Sequence, residues 1–319
     1  MLKNVMITCA GRRVELVQSF LEASKSLKLE NKIICTDSDP LYSAASSFAH
    51  KYFKTPKINN ANYIDSILKI AKENKVKIII PTIDTELIKL SECRKIFLSH
   101  GIEVIISDPD FIKTCNDKRA SSELFENLGF KVPKIFSKNA IEYPCFCKPY
   151  DGSNSSGARI INSNNEITNK MHEDKNLIYM ELVPKNYAEY TVDVYFDQFS
   201  KLKCIVPRKR IEVRGGEVSK GITKRNFLYD DLLSKISEIK GARGCITFQF
   251  FVDEHNKNIL GLEINPRFGG GYPLTISAKA NYSKWILQEY IANKKINFFD
   301  GWESDLLMLR YDAKVTRKL

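Results

Sequence analysis

The sequence predicts an α/β fold for the N-terminal part of the chain and an α+β region with antiparallel sheets for the remainder. The first prediction rests on short apolar strands that alternate with amphipathic helices between residues 4 and 108. This alternation is typical of parallel βαβ units whose sheet is covered on both faces. The second prediction rests on the strands and hairpins that dominate from about residue 144 onward.

The elements of the N-terminal unit follow one another at short intervals. The stretch "VMIT" begins the first strand, and the helix after it carries Val17 and Phe20 on one face. The unit is predicted to end near Pro109. Its strands are predicted at 4–8, 32–40, 76–84 and 102–108, with helices around 14–27, 61–73 and 85–99.

The C-terminal part begins with a helix closed by Gly129 and an extended segment through Pro133. Further helices are predicted at 229–241 and 282–292, and a last strand in "LLMLRYDAKV". Antiparallel strands are predicted in "CFCKPYDGSNSSGARII", "NLIYMELV", "EYTVDVYF", "KLKCIVPRKRIEV" and "CITFQFFVDEHNKNILGLEINPRF".

The composition is ordinary for a soluble globular protein, with 43% hydrophobic and 27% charged residues among 319. No apolar run approaches the roughly 18 to 20 residues that cross a bilayer, and the N-terminus lacks the apolar segment of a secretion signal. The eight cysteines show neither CxxC nor zinc-finger spacing, which favours reduced, buried thiols over a metal site. We therefore expect a cytoplasmic protein with no membrane partner.

The net charge of +11 permits nucleic-acid binding. Lysine and arginine are scattered among acidic residues, however, with no basic arm and no interleaving of aromatic and basic residues. The charge pattern therefore favours an anionic small-molecule substrate, and no nucleic-acid partner is expected.

The stretch "LEINPRFGGG" places Glu263, Asn265 and Arg267 two apart at the end of an apolar run. This run and "CITFQFFVDE" flank the polar turn "HNKN", which predicts a hairpin that sets Gln249 opposite Glu263 and Thr247 opposite Asn265. Carboxylate and amide oxygens on one sheet face suit Mg²⁺, and an arginine beyond them adds a cation where phosphoryl charge develops. The alternative is the solvated face of an amphipathic sheet.

Two upstream stretches carry phosphate and nucleotide signals. In "KPYDGSNSSGARI", Lys148 leads into a loop of small residues whose N–H and hydroxyl groups can reach phosphate, although a flexible hairpin loop explains it equally well. In "YMELVPKNYAEYTVDVYF", Pro184 ends regular pairing, which leaves the backbone near Leu182 and Val183 available to an adenine edge. Glu181 then accepts from the exocyclic amine and Glu189 takes ribose hydroxyls; a plain strand–turn–strand is the alternative.

Taken in order, these pieces resemble the ATP-grasp superfamily over nearly the whole chain. The likeness is to the branch that includes short carbamoyl-phosphate-synthase-like proteins and amino-acid ligases such as the pyrrolysine-biosynthesis ligase. The resemblance implies a pre-ATP-grasp domain at 1–110 and a two-lobed ATP-grasp fold with lobes at 111–178 and 179–319. The residues that carry it are Lys118, Lys148 with its loop, Glu181 to Val183, Glu189, Gln249, Glu263, Asn265 and Arg267.

The resemblance implies a role for each of these positions. Catalytic roles fall to Arg267 and Lys148, and Gln249, Glu263 and Asn265 are expected around two Mg²⁺ ions, with Mn²⁺ as a substitute. Many members of the superfamily have a carboxylate where Gln249 stands. ATP is expected to contact Lys118, Lys148, Asp151, Gly152, Ser153, Ser155, Ser156, Gly157, Glu181, Leu182, Val183 and Glu189.

Substrate contacts are expected from two further regions. A basic strand beside a Gly-Gly turn contains Arg208, Arg210 and Arg214. These arginines either bind an anionic substrate or protect a sheet edge against pairing with another chain. Other candidates sit at carboxyl ends of parallel strands, where open sheets bind ligands. They are Arg12, Asp84 and Glu86, with Asp84 or Glu86 receiving an amino group.

These residues and the resemblance predict an ADP-forming carboxylate–amine ligase that acts through an acyl phosphate on an amino acid or amino-bearing small metabolite. Its partners are then small-molecule carboxylate and amine substrates, and a homodimer is compatible with them. Two alternatives stay open: a bicarbonate-using carbamoyl-phosphate-type or carboxylase-like enzyme, and a basic nucleic-acid-binding protein with a vestigial nucleotide site.

Overall fold

The computed structural model of the chain describes residues 3–151, 157–237 and 239–318. A five-stranded parallel sheet comes first, and two antiparallel sheets with interspersed helices follow it. The predicted fold class is confirmed.

The N-terminal sheet has strand order β3-β2-β1-β4-β5, so the chain reverses its direction of winding between β1 and β4. Ligands of such open sheets bind outside the carboxyl ends of the strands at this reversal. The strands are β1 (Asn4–Ile7), β2 (Ile33–Asp37), β3 (Lys51–Lys54), β4 (Val76–Ile80) and β5 (Glu103–Val104), and the helices are α1 (Val14–Ser26), α2 (Tyr63–Glu73), α3 (Asp84–Glu92) and α4 (Arg94–Ser99).

Both faces of the central strands β1, β2 and β4 are buried, as their apolar sequences predict, whereas the edge strand β3 is largely exposed. In β1, Val5 and Ile7 pack into one hydrophobic cluster, while Met6 between them packs into another. The predicted strand at 102–108 pairs only at β5, which is an edge strand with β4 as its one neighbour. The helix predicted at 85–99 is two helices separated at Cys93.

A smaller antiparallel sheet follows, with strand order β6-β9-β7-β8. Two helices, α5 (Pro109–Asn116) and α6 (Lys118–Asn127), connect it to the N-terminal unit. Its elements are β6 (Ile135–Phe136), β7 (Cys145–Pro149), β8 (Arg159–Ile161), α7 (Asn169–Glu173) and β9 (Leu177–Glu181).

The larger sheet is antiparallel, with strand order β14-β13-β10-β11-β12-β15. The tail strand predicted in "LLMLRYDAKV" is its edge strand β15, paired with β12. Its strands are β10 (Ala188–Phe196), β11 (Leu202–Arg214), β12 (Glu217–Thr223), β13 (Gly244–Asp253), β14 (Asn258–Asn265) and β15 (Leu307–Leu309), and its helices are α8 (Phe227–Lys235), α9 (Tyr272–Ser277) and α10 (Tyr282–Tyr290).

The N-terminal unit and the larger sheet share one hydrophobic core. Helix α1 lies against α10, where the hydroxyls of Ser19 and Ser283 are 2.7 Å apart. The rings of Phe20 and Phe268 meet edge to face with centroids 6.2 Å apart. This packing brings the loops that follow β1 and β4 to the residues that follow β14.

The structure also bears on membrane-spanning helices and on the state of the cysteines. Among the residues that the structure describes, no helix is long and apolar enough to cross a membrane. All eight cysteines are unpaired thiols, six of them buried and two, Cys9 and Cys93, half-buried.

Candidate active site

A cleft of about 480 Å³ lies where the three sheets meet. Residues of β7 and β9 line it from the smaller sheet, and residues of β10, β11, β12, β13 and β14 line it from the larger sheet. The loops after β1 and β4 close one end. Almost every element that the sequence singled out contributes to this cleft.

The hairpin β13–β14 forms the polar floor of the cleft. Gln249 pairs with Glu263 and Thr247 with Asn265, as the sequence predicted. The register then shifts beyond Gln249, so that Phe250 faces Gly261. Because paired residues of antiparallel strands share a face, a carboxylate and two side-chain amides lie side by side.

Arg267 follows this patch and is held by the N-terminal unit. Its Nε donates to Asp84 Oδ1 over 2.9 Å and its Nη2 to Asp84 Oδ2 over 2.6 Å. Burial by itself lowers the pKa of Arg267, but the paired carboxylate outweighs burial and the pKa is raised. The bidentate pair fixes the guanidinium plane at the edge of the oxygen patch.

Lys148 and Lys118 both line the cleft. Lys148 is 8% exposed; burial lowers its pKa to about 8, a shift that the Glu263 carboxylate opposes and the Lys118 ammonium reinforces. Lys118 begins α6 and donates from Nζ to the Tyr150 carbonyl over 3.4 Å. A ligand anion here restores the charged form of Lys148.

The segment after β9 lines an apolar part of the cleft. Leu182 and Val183 face it, together with Met180 and Phe251. The backbone N–H of Glu181 donates to Lys134 O over 2.8 Å, which ties this segment to the neighbouring strand β6. Leu182 and Val183 lie beyond Glu181, the last residue of β9 that pairs with β7. An apolar surface beside such backbone suits a purine ring.

Glu189, near the start of β10, also lines the cleft and is paired with Arg210. Burial raises the pKa of Glu189, and Arg210 opposes that shift. Within the described residues, the buried Thr191 Oγ1 and Arg210 Nε have no hydrogen-bond partner. Both residues line the cleft.

The Gly/Ser loop is only partly described. Asp151 lines the cleft, and Gly157 has φ +74°, a conformation that favours glycine. The expected contacts of Gly152, Ser153, Ser155 and Ser156 lie outside the described residues.

Two of the predicted substrate residues line the cleft, namely Asp84 and Arg210. Two others face solvent: Arg12, whose side chain is 74% exposed, and Arg214, which pairs with Asp312 on the surface. Both expectations are corrected, because neither residue is among the described residues that line the cleft.

Glu86 is also corrected. It is fully buried beneath the loop after β4, where it accepts from Tyr63 Oη over 2.7 Å and from the Thr82 N–H over 2.9 Å. Burial raises the pKa of this carboxyl group. It holds the start of α3, and it is not among the described residues that line the cleft.

Arg208 is the remaining correction. Its guanidinium is buried and donates to Asp193 Oδ1 over 2.6 Å. The glycine run lies directly on this ion pair: a Cβ at Gly271 would stand 1.8 Å from Arg208 Nη1, and one at Gly269 would stand 2.8 Å from Thr247 Oγ1. The three glycines therefore allow the backbone after Arg267 to cross the buried pair.

Sequence reasoning missed two charged residues of the cleft, Arg13 and Glu217. Arg13 neighbours the predicted Arg12, but the turn after β1 places Cys9 at φ 49° and Gly11 at φ 46°. This left-handed turn decides which arginine faces inward, and residue order alone does not reveal it.

The structure resembles solved ATP-grasp enzymes over nearly its whole length. The biotin carboxylase domain of Hydrogenobacter thermophilus 2-oxoglutarate carboxylase, solved with MgADP, ADP and bicarbonate, has TM-score 0.75 and 16% identity over 96% of this chain and 74% of that one. N5-carboxyaminoimidazole synthetase from Staphylococcus aureus, solved with ADP, has TM-score 0.70 and 17% identity over 92% and 79%. L-amino acid ligase from Bacillus licheniformis has TM-score 0.67 and 13% identity over 90% and 74%.

At these identities the structural comparison establishes the fold, and two family models match parts of the sequence. Residues 173–303 match the family described as "ATP-grasp in the biosynthetic pathway with Ter operon". Residues 5–105 match the PylC-like N-terminal domain. The chain therefore has the fold of ATP-grasp enzymes, with a PylC-like match in its N-terminal part and an ATP-grasp match in its C-terminal part.

Proposed function

We propose that the protein is an ATP-dependent ligase that joins the carboxylate of one small molecule to the amine of another, on an amino acid or amino-bearing metabolite. One observation carries the proposal: a single cleft contains the two lysines, the oxygen patch of the hairpin and the Asp84–Arg267 pair. Phosphoryl transfer asks for positioning and charge neutralisation rather than a side-chain nucleophile, and this cleft supplies both.

The reaction proceeds in two balanced steps. A carboxylate oxygen attacks the γ-phosphorus of ATP, the bond to the β–γ bridging oxygen breaks, and ADP leaves from the acyl phosphate. The amine nitrogen then attacks the acyl carbon, the C–O bond breaks, phosphate leaves, and the nitrogen loses a proton. Lys118 and Lys148 neutralise the nucleotide phosphates, and Arg267 stabilises charge on the transferred phosphoryl group.

The donor set of the hairpin fits Mg²⁺. Glu263 supplies a carboxylate, and Gln249 and Asn265 supply amide oxygens, with the Asn265 amide held by an Nδ2–Oε1 hydrogen bond of 3.0 Å to Glu263. Hard cations take such oxygens together with phosphates and water. When bound, Mg²⁺ screens the β- and γ-phosphates. The proposed count of two ions, and substitution by Mn²⁺, is tested by titrating each metal into the protein–ADP complex.

The nucleotide assignment follows the walls of the cleft. We propose that adenine binds beside Leu182 and Val183, with Glu181 at its amine edge, and that the ribose binds beside Glu189; these residues line the cleft. Eight reduced thiols agree with the proposed cytoplasmic location. Size-exclusion chromatography with light scattering tests the proposed homodimer.

The test is a screen of amino acids and amino sugars for ADP release, with mass spectrometry of the products. Glu263→Gln is expected to abolish magnesium-dependent turnover and to leave metal-free ADP binding within about twofold, because the substitution removes the one carboxylate of the patch. Full turnover by that variant contradicts the metal assignment.

Two other outcomes separate the alternatives. ATP turnover that depends on bicarbonate and needs no amine favours a carboxylase-like or carbamoyl-phosphate-type enzyme. Tight, salt-sensitive oligonucleotide binding without ATP turnover favours a nucleic-acid-binding protein.

A further inference from the structure

Among the described residues, Arg13 has no ion-pair partner, whereas three other arginines in or near the cleft have one. It directly precedes α1, is half-buried and lines the cleft. Arg210 pairs with Glu189, Arg267 pairs with Asp84, and even the exposed Arg12 lies 3.8 Å from Glu217. In the part of the chain that the structure describes, no carboxylate oxygen lies within 4.0 Å of the Arg13 guanidinium, and no hydrogen bond engages it.

Arg267 has almost no donor left for a ligand. A guanidinium carries five N–H groups. Two are taken by Asp84, one by the Phe268 carbonyl at 3.2 Å and one by Asn265 Oδ1 at 3.4 Å, which leaves a single N–H on Nη1. With one N–H remaining, Arg267 can donate to only one of the two oxygens of a carboxylate.

The electrostatic environment of Arg13 points the same way. Burial lowers its pKa, the Arg267 guanidinium lowers it further, and Glu217 and Asp84 oppose the shift. The Arg267 guanidinium thus disfavours the charged form of Arg13, and both residues line the cleft. An oxyanion between them relieves this repulsion and supplies the missing partner of Arg13.

We propose that Arg13 and Arg267 together hold an oxyanion of the acid substrate, the carboxylate that becomes the acyl phosphate. This inference rests on the proposed ligase function and adds that the N-terminal domain itself contributes a substrate-binding residue. The substrate is then a small acid. When ATP is bound at Lys118 and Lys148, the carboxylate of this acid reaches the loop after β1.

The test uses inorganic phosphate as the probe oxyanion, titrated by calorimetry into the full chain saturated with MgADP. Arg13→Met is expected to weaken phosphate binding by about tenfold or more, because it removes one charged hydrogen-bonding group from a two-arginine site. Arg12→Met is the matched control: it removes the same charge one residue away, on the exposed side, and is expected to bind phosphate as the wild type does.

Arg13→Lys keeps the positive charge at this position and is therefore expected to retain part of the affinity for phosphate. Thermal unfolding of all variants without phosphate checks that they fold. Wild-type phosphate affinity in Arg13→Met, equal loss in Arg12→Met, or no phosphate binding by the wild type overturns the inference. Failure of the wild type to bind MgADP at all instead counts against the proposed ligase function.

Discussion

Lys148 offers the most quantitative prediction, because the folded protein disfavours its ammonium form and nucleotide binding is expected to restore it. Its pKa falls from the ordinary 10.5 to about 8, with burial as the largest cause. The folded, ligand-free protein therefore releases this proton near pH 8, while the unfolded chain retains it to about pH 10.5. The difference corresponds to about 3 kcal/mol of lost stability at pH 7.

The sign of the pH dependence follows from proton counting. Between pH 8 and 10.5 the unfolded state binds more protons at this position, so the contribution of Lys148 to stability rises with pH across that window. Below pH 8 the full cost is present. Lys148→Met removes the buried ammonium and is expected to stabilise the ligand-free protein at pH 7 by up to about 3 kcal/mol. The gap to the wild type is expected to shrink by pH 9.5.

Nucleotide phosphates favour the ammonium form, so ADP binding at pH 8 is expected to take up about half a proton. The assay is calorimetry of MgADP binding in two buffers of different ionisation enthalpy at pH 7, 8 and 9. Lys148→Met is expected to lose the uptake and to bind MgADP more weakly, while Lys175→Met, at an exposed position, keeps both. Equal proton uptake in Lys148→Met and the wild type at pH 8 refutes the reasoning.

Three further substitutions test the other contacts. Asp84→Ala leaves the half-buried Arg267 unpaired and is expected to cost about 1–3 kcal/mol in thermal or urea unfolding; Asp84→Asn, which keeps the shape, is its control, and a neutral effect of Asp84→Ala contradicts the pairing. Gly271→Ala drives a Cβ onto Arg208 and is expected to cost about 2 kcal/mol or more in urea unfolding, whereas an unchanged midpoint would show that the buried pair can shift. Glu189→Gln is expected to weaken ADP binding about tenfold by fluorescence titration, with unchanged affinity arguing against a ribose contact.

The sequence was most informative where a simple period governs the structure. The hairpin that pairs Gln249 with Glu263 was predictable because alternation along two strands and one polar turn determine which residues meet. Four strands of the parallel sheet were predictable from their apolar runs, whereas the largely exposed edge strand β3 was not predicted. Neither result required knowledge of contacts distant in sequence.

The site was less predictable where a distant element decides the outcome. Arg208 and Arg210 are two apart on β11 and share a face, yet Arg210 lines the cleft while Arg208 lies beneath the glycine run that precedes α9. Arg12 and Arg13 differ only in how a left-handed turn directs them. Such choices depend on packing that a single sequence does not display.

The native thiols have a practical consequence for following motion in this protein. Burial raises the pKa of every one of the eight cysteines, and maleimide reagents attack the thiolate. A fluorophore directed to a cysteine introduced at Tyr42, 82% exposed, or Phe199, 73% exposed, therefore reacts ahead of the endogenous groups. Single-molecule energy transfer between such dyes is then practical without first substituting the eight native cysteines.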